Sequence, residues 1–224
     1  VLPRFKNDMA EAFETQGEKL IRRISKLKAV KVFDLFDIEA LWNELALGDI
    51  ILEKGEYWIT LSIEKGLAAA EEITSIPLAV DMASSPMIRD ARNDILGKLK
   101  SLTDRTSIEN LRGLITDSFT SNDTVQDLTK KIRAEFDQYS KVRAEMIART
   151  ESSNAYGRAS LEYYREAGIK YKRWQTMEDD RVSDICWANQ NAGTISMDAL
   201  FPSGNLNEPS HPNCRCSMVP VSGE

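Results

Sequence analysis

All three cysteines of this 224-residue chain, and its only histidine, fall between Cys186 and Cys216. An odd cysteine count, confined to the last fifth of the sequence, argues against a fold built purely on disulfides. The long stretch before Cys186 must therefore be held by apolar burial. The composition allows it: 42% of residues are apolar and 29% charged, the balance of an ordinary globular chain with room for one large domain or two small ones. Four soft or borderline ligands in one short stretch also predict a single local site.

Charge and hydropathy exclude some classes of function. The net charge is −6 and the pI near 5.1, so any contact with nucleic acid must use a local patch. No window approaches the roughly eighteen uninterrupted apolar residues that a membrane span needs. The opening Val1-Leu2-Pro3-Arg4-Phe5-Lys6 lacks the apolar run of a secretory signal. Without an initiator Met, the sequence reads as a fragment or a processed product.

The first eighty residues predict an N-terminal helical region. Leu20, Ile21, Ile24 and Leu27 recur at helical spacing, with Lys19, Arg22, Arg23 and Lys26 on the opposite face. Phe33-Asp34-Leu35-Phe36-Asp37 precedes a second pattern at Leu41, Trp42 and Leu45. A further helix is predicted over Tyr57–Ile73, ending before Ser75-Ile76-Pro77. The small and breaker residues of Asp81-Met82-Ala83-Ser84-Ser85-Pro86 predict a linker, with a linker or connecting helix over 81–104.

From Arg89 onward the pattern sharpens. Thr106-Ser107-Ile108-Glu109 offers a capping box, followed by a stripe at Ile108, Leu111 and Ile115. A second stripe, Val125, Leu128, Ile132 and Phe136, follows a brief connection, so the two helices should be antiparallel or angled. A helix-turn-helix reading is opposed by Glu109, Asp117, Asp127 and Glu135, which would repel phosphates, and core packing explains the stripes better. A long helix is predicted over Lys141–Ala167, stopped by Gly168. Its small residues Ala148, Ser152, Ser153, Ala155, Gly157, Ala159 and Ser160 would let another backbone come close, which predicts a central position. Ile169–Thr176 alternates like a half-buried strand. Gly193, Pro202, Gly204, Pro209 and Pro212 then mark a loop-rich end. The fold class expected is α+β, helix-rich, with a small irregular C-terminal β module carrying the Cys/His cluster.

Cys186 and His211-Pro212-Asn213-Cys214-Arg215-Cys216 form the strongest constellation. Cys186, His211, Cys214 and Cys216 are the ligand types a tetrahedral zinc takes, and two short chelating spacings lower the cost of assembling them. Reduced thiols, or a disulfide from Cys186 to Cys214 or Cys216, fit the same residues. Four protein ligands would close the site to an activated water, making it a staple for a module with little core.

Further blocks accompany this cluster: Ile147-Ala148-Arg149-Thr150-Glu151 and Lys172-Arg173-Trp174-Gln175-Thr176-Met177-Glu178-Asp179-Asp180-Arg181-Val182. In order and spacing, over about residues 105–220, they resemble the phage Mu protein F-like head-morphogenesis family. The resemblance implies a head-morphogenesis domain over 105–224 and a non-enzymatic minor head protein of a tailed double-stranded DNA phage. It implies portal and capsid proteins as partners, and a place in DNA packaging or delivery. It also implies a location in the virion, at the capsid interior or portal vertex, after assembly in the host cytoplasm. A metal site in the C-terminal Cys/His block is suggested for that family. Many relatives carry a Cys-x2-Cys pair where this chain has Ser183-Asp184-Ile185-Cys186, so one conventional ligand is replaced.

Two other groups invite chemistry. Glu151, Asp179 and Arg181 are expected to form a structural ion-pair cluster that fixes the loop holding Cys186. The alternative is a metal-dependent hydrolase or phage-delivered toxin-like effector using Glu151, Asp179 and His211. Lys19–Lys31 holds six basic residues (with Lys28 and Lys31) and no acid. Its face could lie along double-stranded DNA through Lys19, Arg22, Arg23 and Lys26, or be a solvated amphipathic surface. Lys170, Lys172 and Arg173 sit beside Tyr171 and Trp174, where aromatic–cation packing and DNA contact are both open.

Overall fold

The structure, a computed structural model, describes residues 2–26, 38–79 and 81–221, with the backbone alone at 138–140. Six α-helices and three short strands are found among the described residues: α1 (Leu2–Ile24), α2 (Ile38–Glu44), α3 (Leu47–Thr74), α4 (Pro86–Thr120), α5 (Val125–Glu166), β1 (Tyr171–Gln175), α6 (Asp184–Asn191), β2 (Thr194–Ser196) and β3 (Ser217–Val221). The α+β, helix-rich class is borne out. Among the described residues, no helix is long and apolar enough to cross a membrane. Leu27, Lys28, Lys31 and the Phe33–Asp37 segment lie outside the described residues.

The chain divides into two compact units whose segments interleave: Pro3–Glu56 with Leu96–Ile147, and Tyr57–Ile95 with Leu2 and 148–221. In the first, α1 buries Phe5, Met9, Phe13, Leu20 and Ile24 at four- and seven-residue steps. Lys19, Arg22 and Lys26 lie exposed. Gln16 is also buried, and its amide donates to the Leu47 carbonyl at 2.8 Å. Trp42 of α2 is buried and donates its indole N–H to Asp104 at 3.0 Å. Asn110 of α4 donates to Glu135 of α5, and Arg143 donates to Ser107 and the Thr103 carbonyl. As residue numbers fall on α4 they rise on α5, so this pair is antiparallel.

The same antiparallel sense continues in the second unit, where Arg158 is paired with Asp94 at 2.5 Å. Ala148, Ala155, Ala159 and Ser160 are buried, as the small-residue run predicts. A Cβ at Gly66 of α3 would fall 2.5 Å from the Tyr156 carbonyl oxygen, which shows how closely the two backbones approach. Ser160 of α5 donates to the Gly66 carbonyl. Gly168 ends α5 with φ +74°, and Ile169 N–H reaches back to the Tyr164 carbonyl in a Schellman closure.

Several boundaries differ from the sequence reading. Thr106 does not cap a helix: it lies inside α4 and its hydroxyl donates to the Leu102 carbonyl one turn back. The working box is Thr124–Asp127, where each side chain meets the other residue's N–H at the start of α5. The Lys141–Ala167 helix and the stripe before it are one 42-residue helix, because no Pro or Gly interrupts 125–156. α3 begins ten residues before Tyr57 and ends at Thr74. The Asp81–Pro86 linker is a short 3₁₀ turn capped by Asp81, and Pro86 occupies the first position of α4.

The sheet has the order β2-β1-β3, antiparallel throughout, with Lys172 facing Ile195 on one side and Pro220 on the other. β1 alternates as predicted: Lys172 and Trp174 point inward, Tyr171 and Arg173 outward. Lys172 donates to the Leu206 carbonyl at 2.7 Å and lies 5.1 Å from the Phe201 ring centre. Burial, with Arg165 nearby, brings its pKa down to about 8. Aromatic–cation packing, one of the two readings left open for this group, is thus present at Lys172, with Phe201 rather than Tyr171 or Trp174 as the ring.

Candidate metal centre

The site is assembled from the first turn of α6 and the loop before β3. Ser183 precedes α6 in extended conformation, in the N-cap position, yet its hydroxyl makes no capping bond to the helix backbone. It lies instead 2.9 Å from His211 Nε2. Cys186, one turn into α6, is 1% exposed; its Sγ lies 3.3 Å from His211 Nε2, 3.7 Å from Cys214 Sγ and 3.1 Å from Ser210 Oγ.

The imidazole is oriented by its other nitrogen. His211 Nδ1 sits 2.8 Å from the Pro212 carbonyl oxygen, which can only accept. The neutral ring therefore carries its proton on Nδ1 and turns the Nε2 lone pair toward Ser183 and Cys186. Burial pushes the Cys186 thiol up, but hydrogen bonds from Ser183, Ser210 and the neighbouring thiols outweigh it and hold it at about 7. Cys216 moves the other way, raised by burial and by the nearby Cys186 and Cys214 sulfurs.

Donor atoms of Cys186, His211 and Cys214 all lie within 4.8 Å of one another. Zinc bound by sulfur at ~2.3 Å and nitrogen at ~2.0 Å spans tetrahedral edges of roughly 3.5–3.8 Å, close to the two separations found here. The chemistry and spacing of these three donors fit such an ion. The structure brings together three of the four predicted ligands: Cys216, buried on the approach to β3, stands outside the mutual group. The Ser183 hydroxyl lies beside the same imidazole nitrogen, at the position where the family resemblance implies a cysteine.

Polar side chains lock the scaffold around this group. Gln190 of α6 accepts from both the backbone and hydroxyl of Thr176, and Asn189 holds Ser203 through two hydrogen bonds. Asn213 N–H donates to Thr150 Oγ1 of α5 at 3.1 Å, tying the ligand loop to the long helix. At Gly157 a Cβ would lie 2.7 Å from the Glu208 carboxyl carbon. Glu208 is fully buried and accepts the Met218 N–H at 2.9 Å; burial raises its pKa to about 7.

The predicted ion-pair cluster is built differently. Asp179 takes two hydrogen bonds from Arg215, at 2.7 and 2.6 Å, while the Arg181 guanidinium is 4.0 Å away and only its backbone N–H bonds the carboxylate. Glu151 accepts from Asn154 on its own helix. Arg215 and Ser210 were given no role by the sequence reading, and Ser183 entered it only as the replacement of a ligand. Alternation was the available signal for Arg215, since a residue between two buried cysteines must face outward. The Arg215 hydrogen bonds hold the Asp179 carboxyl down to about 2, a poor value for an acid–base role in the hydrolase reading.

On α1, Arg22 is paired with Glu18 at 3.4 Å, and Arg23 with Glu44 at 3.9 Å. Such surface pairs contribute little to stability.

Neither a curated protein nor a solved structure matches the chain. Residues 109–219, which span the last twelve residues of α4, all of α5 and the Cys/His module, match the family model described as Phage Mu protein F like protein, the family to which the sequence blocks point.

Proposed function

We propose that this chain is a bacteriophage minor head protein that acts in head morphogenesis through binding and assembly, without catalysis of its own. The observation that carries this reading is the match of residues 109–219 to the Mu F-like family. In it, residues 105–224 form the head-morphogenesis domain, 1–80 the N-terminal helical region and 81–104 the connection. Portal and capsid proteins are its partners, and its place is the capsid interior or portal vertex, reached from the host cytoplasm during assembly. There it serves DNA packaging or delivery.

Within this role the Cys/His group is a structural zinc clasp. Cys186 Sγ, His211 Nε2 and Cys214 Sγ hold the ion, with the Ser183 hydroxyl beside the remaining corner and Cys216 as reserve. Zinc would supply a cross-link between α6 and the loop before β3. The chain's own residues prepare it: Pro212 sets the imidazole tautomer, and Thr150 anchors the loop through Asn213. Contact with packaged DNA, if made, runs through Lys19, Arg22, Arg23 and Lys26, and is sequence-neutral and salt-dependent.

The test is made in the virion. Affinity-tagged protein should co-purify with the portal from assembled heads, and phage lacking the chain should fail to package or deliver DNA. Normal packaging and infection by such phage would overturn the assignment.

A further inference from the structure

The clasp holds two thiols in contact, which gives it a second possible covalent state. Cys186 and Cys214 Sγ lie 3.7 Å apart, both almost completely buried, and both sulfurs are free. Closing that gap to the roughly 2.05 Å of a disulfide needs the two side chains to turn toward each other, and the Ser210 hydroxyl is hydrogen-bonded to both sulfurs. Cys216 stands outside the group of donors that lie within 4.8 Å of one another, although its sulfur too neighbours Cys186, which makes it the competing partner the experiment must separate.

We propose that Cys186 and Cys214 are a redox pair, joined by a hydroperoxide oxidant into a disulfide whenever no metal occupies the clasp. The steps balance for hydrogen peroxide. The Cys186 sulfur attacks one peroxide oxygen, the O–O bond breaks, and the leaving hydroxide takes a proton to become water. The sulfenic acid so formed is attacked by the Cys214 sulfur, the S–S bond forms and the S–O bond breaks. A second water leaves, carrying the Cys214 proton. Two thiols lose two electrons, and one peroxide becomes two waters. Because the disulfide removes two of the three donors, it and the ion exclude one another. This exclusion rests on the zinc reading above, whereas the pairing rests only on the distance between the sulfurs.

The experiment treats the full chain, first reduced and metal-stripped, then zinc-loaded, with stoichiometric hydrogen peroxide. Free thiols are counted and cysteine peptides mapped by mass spectrometry. The stripped protein should lose two hydrogens and fall from three free thiols to one, with Cys186 and Cys214 in one linked peptide. The zinc-loaded protein should keep all three thiols. Cys216→Ser should form the same link, and Cys186→Ser should form none; if the latter fails to fold, Cys216→Ser decides alone. A Cys186–Cys216 link, stable sulfinic acid without a link, or three surviving thiols in the stripped protein would overturn the pairing. Zinc uptake by the reduced chain is measured separately. A chain that links Cys186 to Cys214 but never binds zinc refutes the clasp and the exclusion while upholding the pair.

Discussion

At the residue scale, the proposed centre departs from a closed site of three sulfurs and one imidazole at one position. Ser183 offers a neutral hydroxyl where a thiolate would bind zinc far more strongly. Ser183→Cys should therefore raise zinc affinity by about tenfold or more in a competition titration against a chelator of known strength. Unchanged affinity would mean that Ser183 does not border the metal. Gly157 makes a second demand. The Glu208 carboxyl carbon occupies the space a Cβ would need, and a buried loop cannot shift freely, so Gly157→Ala should cost about 1–3 kcal/mol in a denaturant melt.

Glu208 itself makes stability depend on pH. Its folded pKa of about 7 lies above the ordinary 4.5, with burial as the cause, and Tyr156 and Tyr164 of α5 are its titratable neighbours. Between those values the folded chain holds a proton that the unfolded chain has released. Stability therefore falls as pH rises from about 4.5 to about 7, then levels off. Glu208→Gln, which keeps an acceptor for the Met218 N–H, should flatten that slope and stabilise the protein at pH 8 relative to the parent. A slope unchanged by the substitution would place the titration elsewhere.

At the element scale, what was legible in the sequence followed the strength of the periodic signal. The small residues from Ala148 to Ser160 announced a close helix contact because nothing else calls for so many missing side chains at one face. Lys172 and Trp174 on one side of β1 followed from simple alternation. α6 was not legible: eight residues, half of them polar, show no stripe, and its Asn189 and Gln190 are spent on loop contacts rather than on a core. The capping signal was assigned to Thr106 because Glu109 follows three residues on. Thr124 with Asp127 has the same geometry, and Ser121-Asn122-Asp123 provides the break that a helix start needs. The structure predicts that Thr124→Ala costs about 1 kcal/mol, as loss of a cap does, while Thr106→Ala stays within about 0.5 kcal/mol. Equal costs in thermal melts would contradict the assignment of the box.

At the scale of the whole molecule, the chain returns to each of its two units after leaving it, through α3, α4 and α5, which each contribute to both. Sequence order alone could not show this, since apolar stripes state that a face is buried but not against which segment. The Cys/His group lies wholly in the unit made of Tyr57–Ile95 with Leu2 and 148–221, and its ligands reach α5 through Asn213 and Thr150. The family match covers the same module, which is why the head-assembly reading and the clasp reading meet in one stretch of chain.

The clasp is the central physical claim, and native mass spectrometry of the purified, reduced full chain tests it most directly. One zinc ion per chain is predicted, lost on Cys186→Ser and on Cys214→Ser but retained on Cys216→Ser. A chain that carries no zinc after incubation with it, or that loses it equally with any of the three cysteines, would contradict the convergence of Cys186, His211 and Cys214 on one ion.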